Sequence, residues 1–168
     1  FTSNGLIQST STSNLTGTLI NADTLDLIGA RTHSGLTLTN NTGATVNVIS
    51  TGVTVGTMTS NDGTIQYDAS GGGSLTVGSS FANTGAINLV AEAGQNADLV
   101  ISAGTLTNTG TIATSATGTS YLEGNIANTG TGVITVNGIT NFDSSGTTLT
   151  NTSTINLVAD DDTLTVTG

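Results

Sequence analysis

The sequence predicts an all-β fold, a parallel β-solenoid that spans residues 1–168 as one domain of roughly seven to eight coils. Two observations lead to this prediction: an Asn-rich turn recurs every 20 to 25 residues, and short runs of alternating apolar and polar residues fill the intervals. Composition is a third, because Thr, Val, Ile and Asn dominate while helix formers never gather at helical spacing. We therefore expect strands and no helix.

The recurring turn is a phrase of Asn, Thr and Gly, written most clearly as LTNTGTI at residues 106–112. With its glycine as the marker, the same position recurs at intervals of 20, 22, 25, 20 and 23 residues. The markers are Gly43, Gly63, Gly85, Gly110, Gly130 and Ser153, with a looser match at Gly17. A unit of this length holds two or three short strands, which is the content of one solenoid coil.

The predicted strands lie between these turns and are three to five residues long. In order they start at Leu36, Val46, Val53, Ile65, Leu75, Ile87, Leu99, Ile134, Ile155 and Leu164. The run INLVA occurs twice, at 87–91 and 155–159, each time after the Asn turn. An antiparallel sandwich also has strands every ~8 to 12 residues, but the absence of Pro and the longer repeat that carries the same turn favour the solenoid.

The chemistry of Asn and Gly explains how the turn forms. Asn bonds its own backbone two residues on, and Gly supplies a positive φ before extended structure resumes. Stacked coils place the turn asparagines above one another, where their amides can hydrogen-bond along the stack. The predicted ladder comprises Asn41, Asn61, Asn83, Asn108, Asn128 and Asn151, with Asn40 as the alternative to Asn41. Leu, Ile and Val, joined by Phe81 and Phe142, are expected to fill the interior.

Charge and composition limit the classes of partner. The chain has one basic residue and 11 acidic ones, for a formal net charge of −10. This argues against nucleic acid and anionic membranes, because phosphate contacts need Lys and Arg. Without Cys, no disulfide or thiolate metal site can form. No apolar run reaches the ~18 residues of a membrane span and no signal peptide is recognised, so we interpret the chain as a mature segment or a fragment.

The residues that could carry catalysis are few. His33 and Arg31 lie together in ARTHSG, but a catalytic triad would need Ser34 or a distant serine, and no nucleophile-elbow motif is present. A solvated turn is the preferred interpretation. Asp23 and Asp26 could pair for glycoside hydrolysis, although solubilising surface charge explains them as well. We expect no catalytic residue and no cofactor.

The run Asp160, Asp161, Asp162 is the one candidate for a metal site, since hard cations such as Ca²⁺ bind clustered oxygens. The Gly-Gly-x-Gly-x-Asp repeat of calcium-binding rolls is absent, so we expect no metal. Thr-x-Thr runs at 37–39, 57–59 and 163–167 could match an ice lattice. The drifting period disfavours that function, and Thr is then an ordinary strand former.

The phrase TLTNTGTI at 105–112, the two INLVA strands and DDTLTVTG at 161–168 resemble coils of the right-handed β-helices in filamentous haemagglutinin-like exoproteins and autotransporter passengers. The resemblance covers most of the chain at the level of its repeats. It implies right-handed coils and a role in the long secreted stalks and adhesins of bacteria. No secretion domain or Arg-Gly-Asp motif accompanies the repeats, so it implies neither an export route nor a receptor.

These observations predict a non-catalytic structural or adhesive segment of an exported bacterial surface protein, secreted or displayed on the cell surface. We expect it to be a stalk, an adhesin or a self-stacking filament. Its expected partners are adjoining coils of the same chain or further copies stacked end to end, with host or cell-surface glycans or proteins, but neither nucleic acid nor membrane lipid. The alternative is a polysaccharide-binding or polysaccharide-cleaving β-helix that uses surface carboxylates.

Overall fold

A computed structural model describes residues 1–10, 12–143 and 146–167, apart from the side chain of Asp143. In these ranges the regular structure is all β-strand, stacked in parallel as a β-solenoid of about seven turns. The predicted fold class is confirmed. No helix among the described residues is long and apolar enough to cross a membrane.

Strands follow one another along the described chain with only short connections. In order they are β1 (Thr2–Ser3), β2 (Ile7–Ser9), β3 (Gly17–Asn21), β4 (Thr24–Ile28), β5 (Arg31–Asn40), β6 (Thr45–Ile49), β7 (Gly52–Asn61), β8 (Thr64–Ala69), β9 (Gly73–Val77), β10 (Phe81–Asn83), β11 (Ala86–Ala91), β12 (Asn96–Asn108), β13 (Thr111–Ala113), β14 (Thr119–Asn128), β15 (Val133–Val136), β16 (Ile139–Asp143), β17 (Leu149–Asn151), β18 (Thr154–Leu157) and β19 (Thr163–Thr167). Every pairing between them is parallel.

Each coil has three faces, although the strands form two sheets of 11 and 8 strands. The larger sheet turns a corner within its longest strands, because β9 pairs with the first half of β7 and β10 with the second half. Face I contains β1, β3, β10, β17 and the second halves of β5, β7, β12 and β14. Face II contains β2, β4, β6, β8, β11, β13, β15 and β18. Face III contains β9, β16, β19 and the first halves of those four long strands.

The long strands depart from the predicted length of three to five residues. β5, β7 and β14 have 10 residues each and β12 has 13. Their register shifts between His33 and Thr37 and between Val100 and Thr105, where the chain passes from face III to face I. In β12 and β14 this corner contains a glycine of positive φ, Gly104 at 77° and Gly124 at 99°, whereas Gly35 of β5 and Gly56 of β7 have no positive φ. None of the four corners carries the Asn-Thr-Gly phrase of the recurring turn.

The core consists of apolar rows that run along the axis of the solenoid. One row on face II is buried to 0 or 1% exposure and comprises Leu25, Val46, Ile65, Ile87, Ile112 and Ile134. Phe81 and Phe142 are buried as predicted, at 4% and 1% exposure. Burial of each such side chain stabilises the folded state by about 2 kcal/mol, and the buried side chains of adjoining coils pack against one another. Stability therefore depends on stacking rather than on any single coil.

The glycines of the recurring turn play two different roles, which corrects the sequence interpretation. Gly43 and Gly130 have the predicted positive φ, of 81° and 60°, whereas Gly63, Gly85 and Gly110 do not. A Cβ atom on any of these last three would lie within 3.0 Å of a carbonyl oxygen in the preceding coil. They are glycine because two backbones pass close together, and not because the turn is left-handed.

Candidate functional site

A buried amide ladder runs the length of the stack at the end of face I. Each side-chain Nδ2 donates to Oδ1 of the asparagine one coil further along, over six bonds of 2.6 to 2.9 Å. The members are Asn21, Asn40, Asn61, Asn83, Asn108, Asn128 and Asn151. All but Asn151 are fully buried. Their spacings of 19 to 25 residues are the lengths of the coils.

Six of the seven ladder amides also tie face I to face II. Asn61 Nδ2, for example, donates to Asn83 Oδ1 at 2.6 Å and to the carbonyl oxygen of Ala86 at 3.0 Å. The same second bond, to the first residue of the face II strand one coil further along, is made by Asn21, Asn40, Asn83, Asn108 and Asn128. Both hydrogens of such an amide are therefore hydrogen-bonded, and this explains how an uncharged polar side chain can be buried here.

The ladder contains Asn40, and the predicted member Asn41 was wrong. Asn41 lies in the turn, where its backbone N–H donates to the carbonyl oxygen of Asn21 at 2.9 Å. Leu36, Leu38 and Asn40 share the inward side of β5, so strand alternation distinguishes the two asparagines. Asn21 was missed because neither Thr nor Gly follows it in its turn.

The ladder has one direction, since every amide points its nitrogen toward the carboxyl-terminal coil. At the other end, Asn21 Oδ1 is buried without a partner. The residue in register with Asn21 in the first coil is Ser3, whose Oγ donates instead to the carbonyl oxygen of Gly5 at 2.7 Å. The single hydroxyl hydrogen of Ser3 is used in that bond, so the ladder begins at Asn21.

His33 is part of the interior and does not lie in a solvated turn, as the sequence had suggested. It lies in β5 with 1% of its surface exposed, and Nδ1 accepts the N–H of Leu15 at 3.0 Å. Burial, followed by the charge of Arg31, lowers the pKa of its imidazole. Ser34 is exposed on the opposite side of the strand. Strand alternation therefore separates the two residues that a catalytic dyad would need close together.

The three aspartates proposed as a metal candidate form a turn. Asp162 Oδ2 accepts the N–H groups of Val158 and Ala159 at 2.7 and 2.6 Å. Among the described residues, no three His, Cys, Asp or Glu side chains converge as a metal site would require. Asp160, Asp161 and Asp162 therefore do not converge as metal ligands. The carboxylate of Asp162 instead accepts hydrogen bonds from backbone N–H groups of the turn.

Asp23 and Asp26 are held by different neighbours. Asp26 lies in an outward polar row on face II, where Oδ1 accepts from Asn47 Nδ2 at 2.8 Å. Asp23 lies in the preceding turn and accepts from Thr24 Oγ1 at 3.1 Å. These contacts account for both carboxylates as surface hydrogen-bond acceptors, each fixed by its own partner.

A groove on the outer side of face III brings together polar and aromatic side chains that belong neither to the core nor to the ladder. It has a volume of about 450 Å³ and is lined by Gly94, Gln95, Asn96, Asp98, Thr119, Tyr121 and Glu123. Asp98 is directly in register with Tyr121 of the next coil, and Glu123 lies two residues beyond Tyr121 on the same outward side. The groove thus crosses two coils and combines an aromatic ring, carboxylates and amides.

The carboxylate of Asp98 is poorly solvated. Its Oδ2 accepts from Asn96 Nδ2 at 2.6 Å, and its Oδ1 is buried without a hydrogen-bond partner. Burial raises the pKa of Asp98, and the bond from Asn96 partly opposes that shift. The sequence did not single out these residues, because 98 and 121 become neighbours only through the register of β12 and β14.

Comparisons with protein-family models, with curated proteins and with solved structures found no match to this chain. The geometry of the solenoid is therefore the basis for assigning a function. That geometry offers two features, a buried ladder that orders the coils and an outward groove with polar and aromatic side chains.

Proposed function

We propose that this chain is a non-catalytic structural and adhesive segment of an exported bacterial surface protein. The observation that carries the proposal is the continuous amide ladder, which joins six successive pairs of coils by buried hydrogen bonds. Such a ladder contributes order and length and offers no reactive group. The resemblance of the repeats to those of haemagglutinin-like exoproteins and autotransporter passengers supports export and display.

The shape of the molecule supports a role as a stalk. About seven turns at ~4.8 Å each make a rod of ~34 Å, and further coils would lengthen it without changing its cross-section. The only histidine is buried and its Nδ1 is occupied by a backbone N–H, which favours a non-catalytic role. The strong negative charge favours display in water over contact with anionic lipid.

The proposed partners are further coils, either of the same longer protein or of another copy stacked end to end. Strand edges at the end of a solenoid carry unpaired backbone groups, which adjoining coils can satisfy. Host or cell-surface glycans and proteins are the proposed external ligands, and the bacterial surface or the medium is the proposed location. These roles are compatible, because a stalk can bind along its sides.

Electron microscopy of the purified chain tests the self-stacking version. Filaments of constant width at high protein concentration would support a filament subunit, and dispersed short rods would support a segment of a longer stalk. Globular particles without a long axis would contradict both. Antibody labelling of intact bacteria that produce the protein tests display, and label confined to permeabilised cells would contradict it.

A second candidate, a polysaccharide-binding or polysaccharide-cleaving β-helix, is favoured by the face III groove. Its carboxylates at Asp98 and Glu123 are better placed for a ligand than Asp23 and Asp26, because they line a common groove. Incubation with neutral and acidic polysaccharides, followed by measurement of new reducing ends, separates binding from cleavage. New ends would contradict the non-catalytic proposal.

A further inference from the structure

We propose that the face III groove binds an uncharged saccharide, with a sugar ring over Tyr121 and its hydroxyl groups donating to Asp98 and Glu123. The inference deepens the adhesive part of the proposed function and rests on it. It assigns a ligand class and an orientation to a surface that the sequence did not single out. Three features of the groove support this assignment: its acceptors, its aromatic ring and the polar row that continues it along the axis.

The first feature is a shortage of hydrogen-bond donors around Asp98. A carboxylate has about four acceptor positions, yet among the described residues only Asn96 donates to Asp98. Asp98 is half-buried in the lining of the groove, and because its Oδ1 is enclosed by protein, a ligand would reach the carboxylate at Oδ2. A ligand rich in hydroxyl groups supplies such donors, and an O–H bond to a carboxylate is stronger than a bond between neutral groups.

The second feature is the only tyrosine outside the core. The chain has two tyrosines, and Tyr67 is fully buried while Tyr121 is partly exposed on the outer side of β14. A phenol ring offers an apolar face together with a polar tip, so it can cover the C–H face of a sugar ring while its hydroxyl remains hydrated. Asp98 lies directly across from this ring in the neighbouring coil.

The third feature is an outward polar row that continues the groove along the axis. Its members, in register, are Ser74, Asp98, Tyr121, Asn141 and Thr165. Adjacent members are ~4.8 Å apart, and the groove volume of about 450 Å³ suits a short oligosaccharide. A linear glycan lying parallel to the solenoid axis would therefore meet one polar side chain or ring per coil.

Charge decides which saccharides can bind. The net charge of −10 and the carboxylates in the groove repel polyanions, so uronic-acid and sulfated glycans are excluded. Cationic amino-sugar polymers would be attracted to the whole surface by charge. The proposal is therefore restricted to uncharged sugars, whose binding depends on the ring and the hydroxyl groups at this one place.

Isothermal titration with uncharged linear hexasaccharides of glucose, mannose and xylose tests the proposal, with oligogalacturonate and chitosan hexamers as charged comparisons. We expect at least one uncharged sugar to bind and oligogalacturonate not to bind. Tyr121→Ala should weaken binding by about tenfold or more through loss of the ring. Asp98→Asn should weaken it by about fivefold to tenfold through loss of a charged acceptor.

Two matched variants separate binding from folding. Tyr121→Phe keeps the ring and should retain most of the affinity. Asp68→Asn makes the same carboxylate-to-amide change on the outer side of β8, away from the groove, and should leave binding unchanged. Urea unfolding midpoints of all four variants show whether each one is folded at the concentrations used for titration.

Three outcomes would overturn the proposal: no uncharged sugar binds, whether or not chitosan does; oligogalacturonate binds as tightly as an uncharged sugar; or Tyr121→Ala binds as tightly as the natural protein. Its failure is distinguishable from failure of the proposed function. Rods in the micrographs without sugar binding would remove only the groove assignment. Globular particles or purely internal antibody label would remove the stalk proposal, whatever the titration shows.

Discussion

Asparagine suits the ladder because its side chain carries both a donor and an acceptor with no charge. Asn83 Oδ1 accepts from Asn61 at 2.6 Å, and Asn83 Nδ2 donates to Asn108 at 2.7 Å, so the same group serves both neighbouring coils. Aspartate would lack the donor and would bring a buried charge. A threonine hydroxyl can reach the neighbouring coil, as Thr140 Oγ1 does to Thr114 Oγ1 at 2.9 Å, but its single hydrogen cannot serve both the next ladder side chain and a face II carbonyl oxygen. An amide is therefore the smallest group that can repeat indefinitely along the stack.

Replacement of one central amide should destabilise the protein. Asn83→Ala removes two ladder bonds and leaves the buried Asn108 Oδ1 without its donor. We expect the free energy of unfolding to fall by about 3 kcal/mol, measured by urea denaturation. Asn88→Ala is the matched control, because that amide bonds Gln66 on the outer side of face II, and its effect should be below ~0.5 kcal/mol. Equal effects would mean that the ladder contributes little.

His33 should make stability depend on pH. Because its folded pKa is lowered from the ordinary 6.5, the unfolded chain binds the proton more readily. The stabilising contribution of the neutral imidazole is complete above that value and is lost as the pH falls below it. Protonation of Nδ1 would also break the bond from Leu15.

The comparison is between the natural protein and His33→Leu, by urea denaturation at pH ~7.5 and ~5.5. The difference in unfolding free energy between the two proteins should change by up to about 1.4 kcal/mol in favour of the variant at the lower pH. The raised pKa of Asp98 has the opposite effect, since it increases the unfolding free energy as the pH falls. Both proteins contain Asp98, so this effect cancels when their unfolding free energies are subtracted. A constant difference across the pH range would contradict the prediction.

At the connections between face I and face II, the close stacking of the coils determines which residue type can precede the face II strand. From β6 onward, the residues that precede the face II strands are, in register, Ala44, Gly63, Gly85, Gly110, Gly132 and Ser153. Gly132, and not Gly130, therefore corresponds to Gly85. Where Ser153 replaces glycine, its Oγ donates to the carbonyl oxygens of Gly130 and Gly132 at 3.0 and 2.7 Å. The side chain is tolerated there because it bonds the atoms that it faces.

Three glycine-to-alanine variants should differ in the unfolding free energy that they lose, according to these roles. Gly85→Ala places a Cβ against the backbone of the preceding coil and should cost about 3 kcal/mol or more. A Cβ atom at residue 43 would have open space around it, but the φ of 81° there is unfavourable for alanine. Gly43→Ala should therefore lower the unfolding free energy by about 1 kcal/mol. Gly5→Ala has neither constraint and should be close to neutral.

Thermal or urea unfolding of the three proteins measures that ranking. If Gly43→Ala proved the most destabilising, turn conformation would matter more than the approach of the coils. A neutral Gly85→Ala would show that the stack can shift to admit a methyl group.

Across the whole molecule, charge opposes folding while stacking favours it. Eleven acidic residues and one arginine leave a net charge of −10 on a compact rod. Raising NaCl from ~0.05 to ~0.5 M screens their mutual repulsion, so the urea midpoint should rise, with a gain of about 1 kcal/mol. A protein held together by ion pairs would lose stability under the same change.

The double variant Asp160→Asn, Asp161→Asn removes two of the negative charges from an exposed turn and provides the control. Its urea midpoint should respond less steeply to salt than that of the natural protein. A larger response in the variant, or a midpoint that falls with salt, would contradict the electrostatic explanation.

Much of the architecture could be predicted from the sequence, because it is encoded locally and then repeated. The alternation of apolar and polar residues marks the strands, and the Asn turn marks the length of each coil. Together they determined the fold class, the interior position of Phe81 and Phe142 and most of the ladder. These features need no knowledge of which residues meet across coils.

The tertiary structure alone decided what depends on register between residues about 20 positions apart. It selected Asn40 over Asn41, showed that Gly85 is a point of close approach, and placed His33 in the interior. It also brought Asp98 against Tyr121, and with them the candidate groove. The physical reason is that coils vary in length and turn some corners in an extended conformation, so repeat spacing alone does not specify which side chains become neighbours.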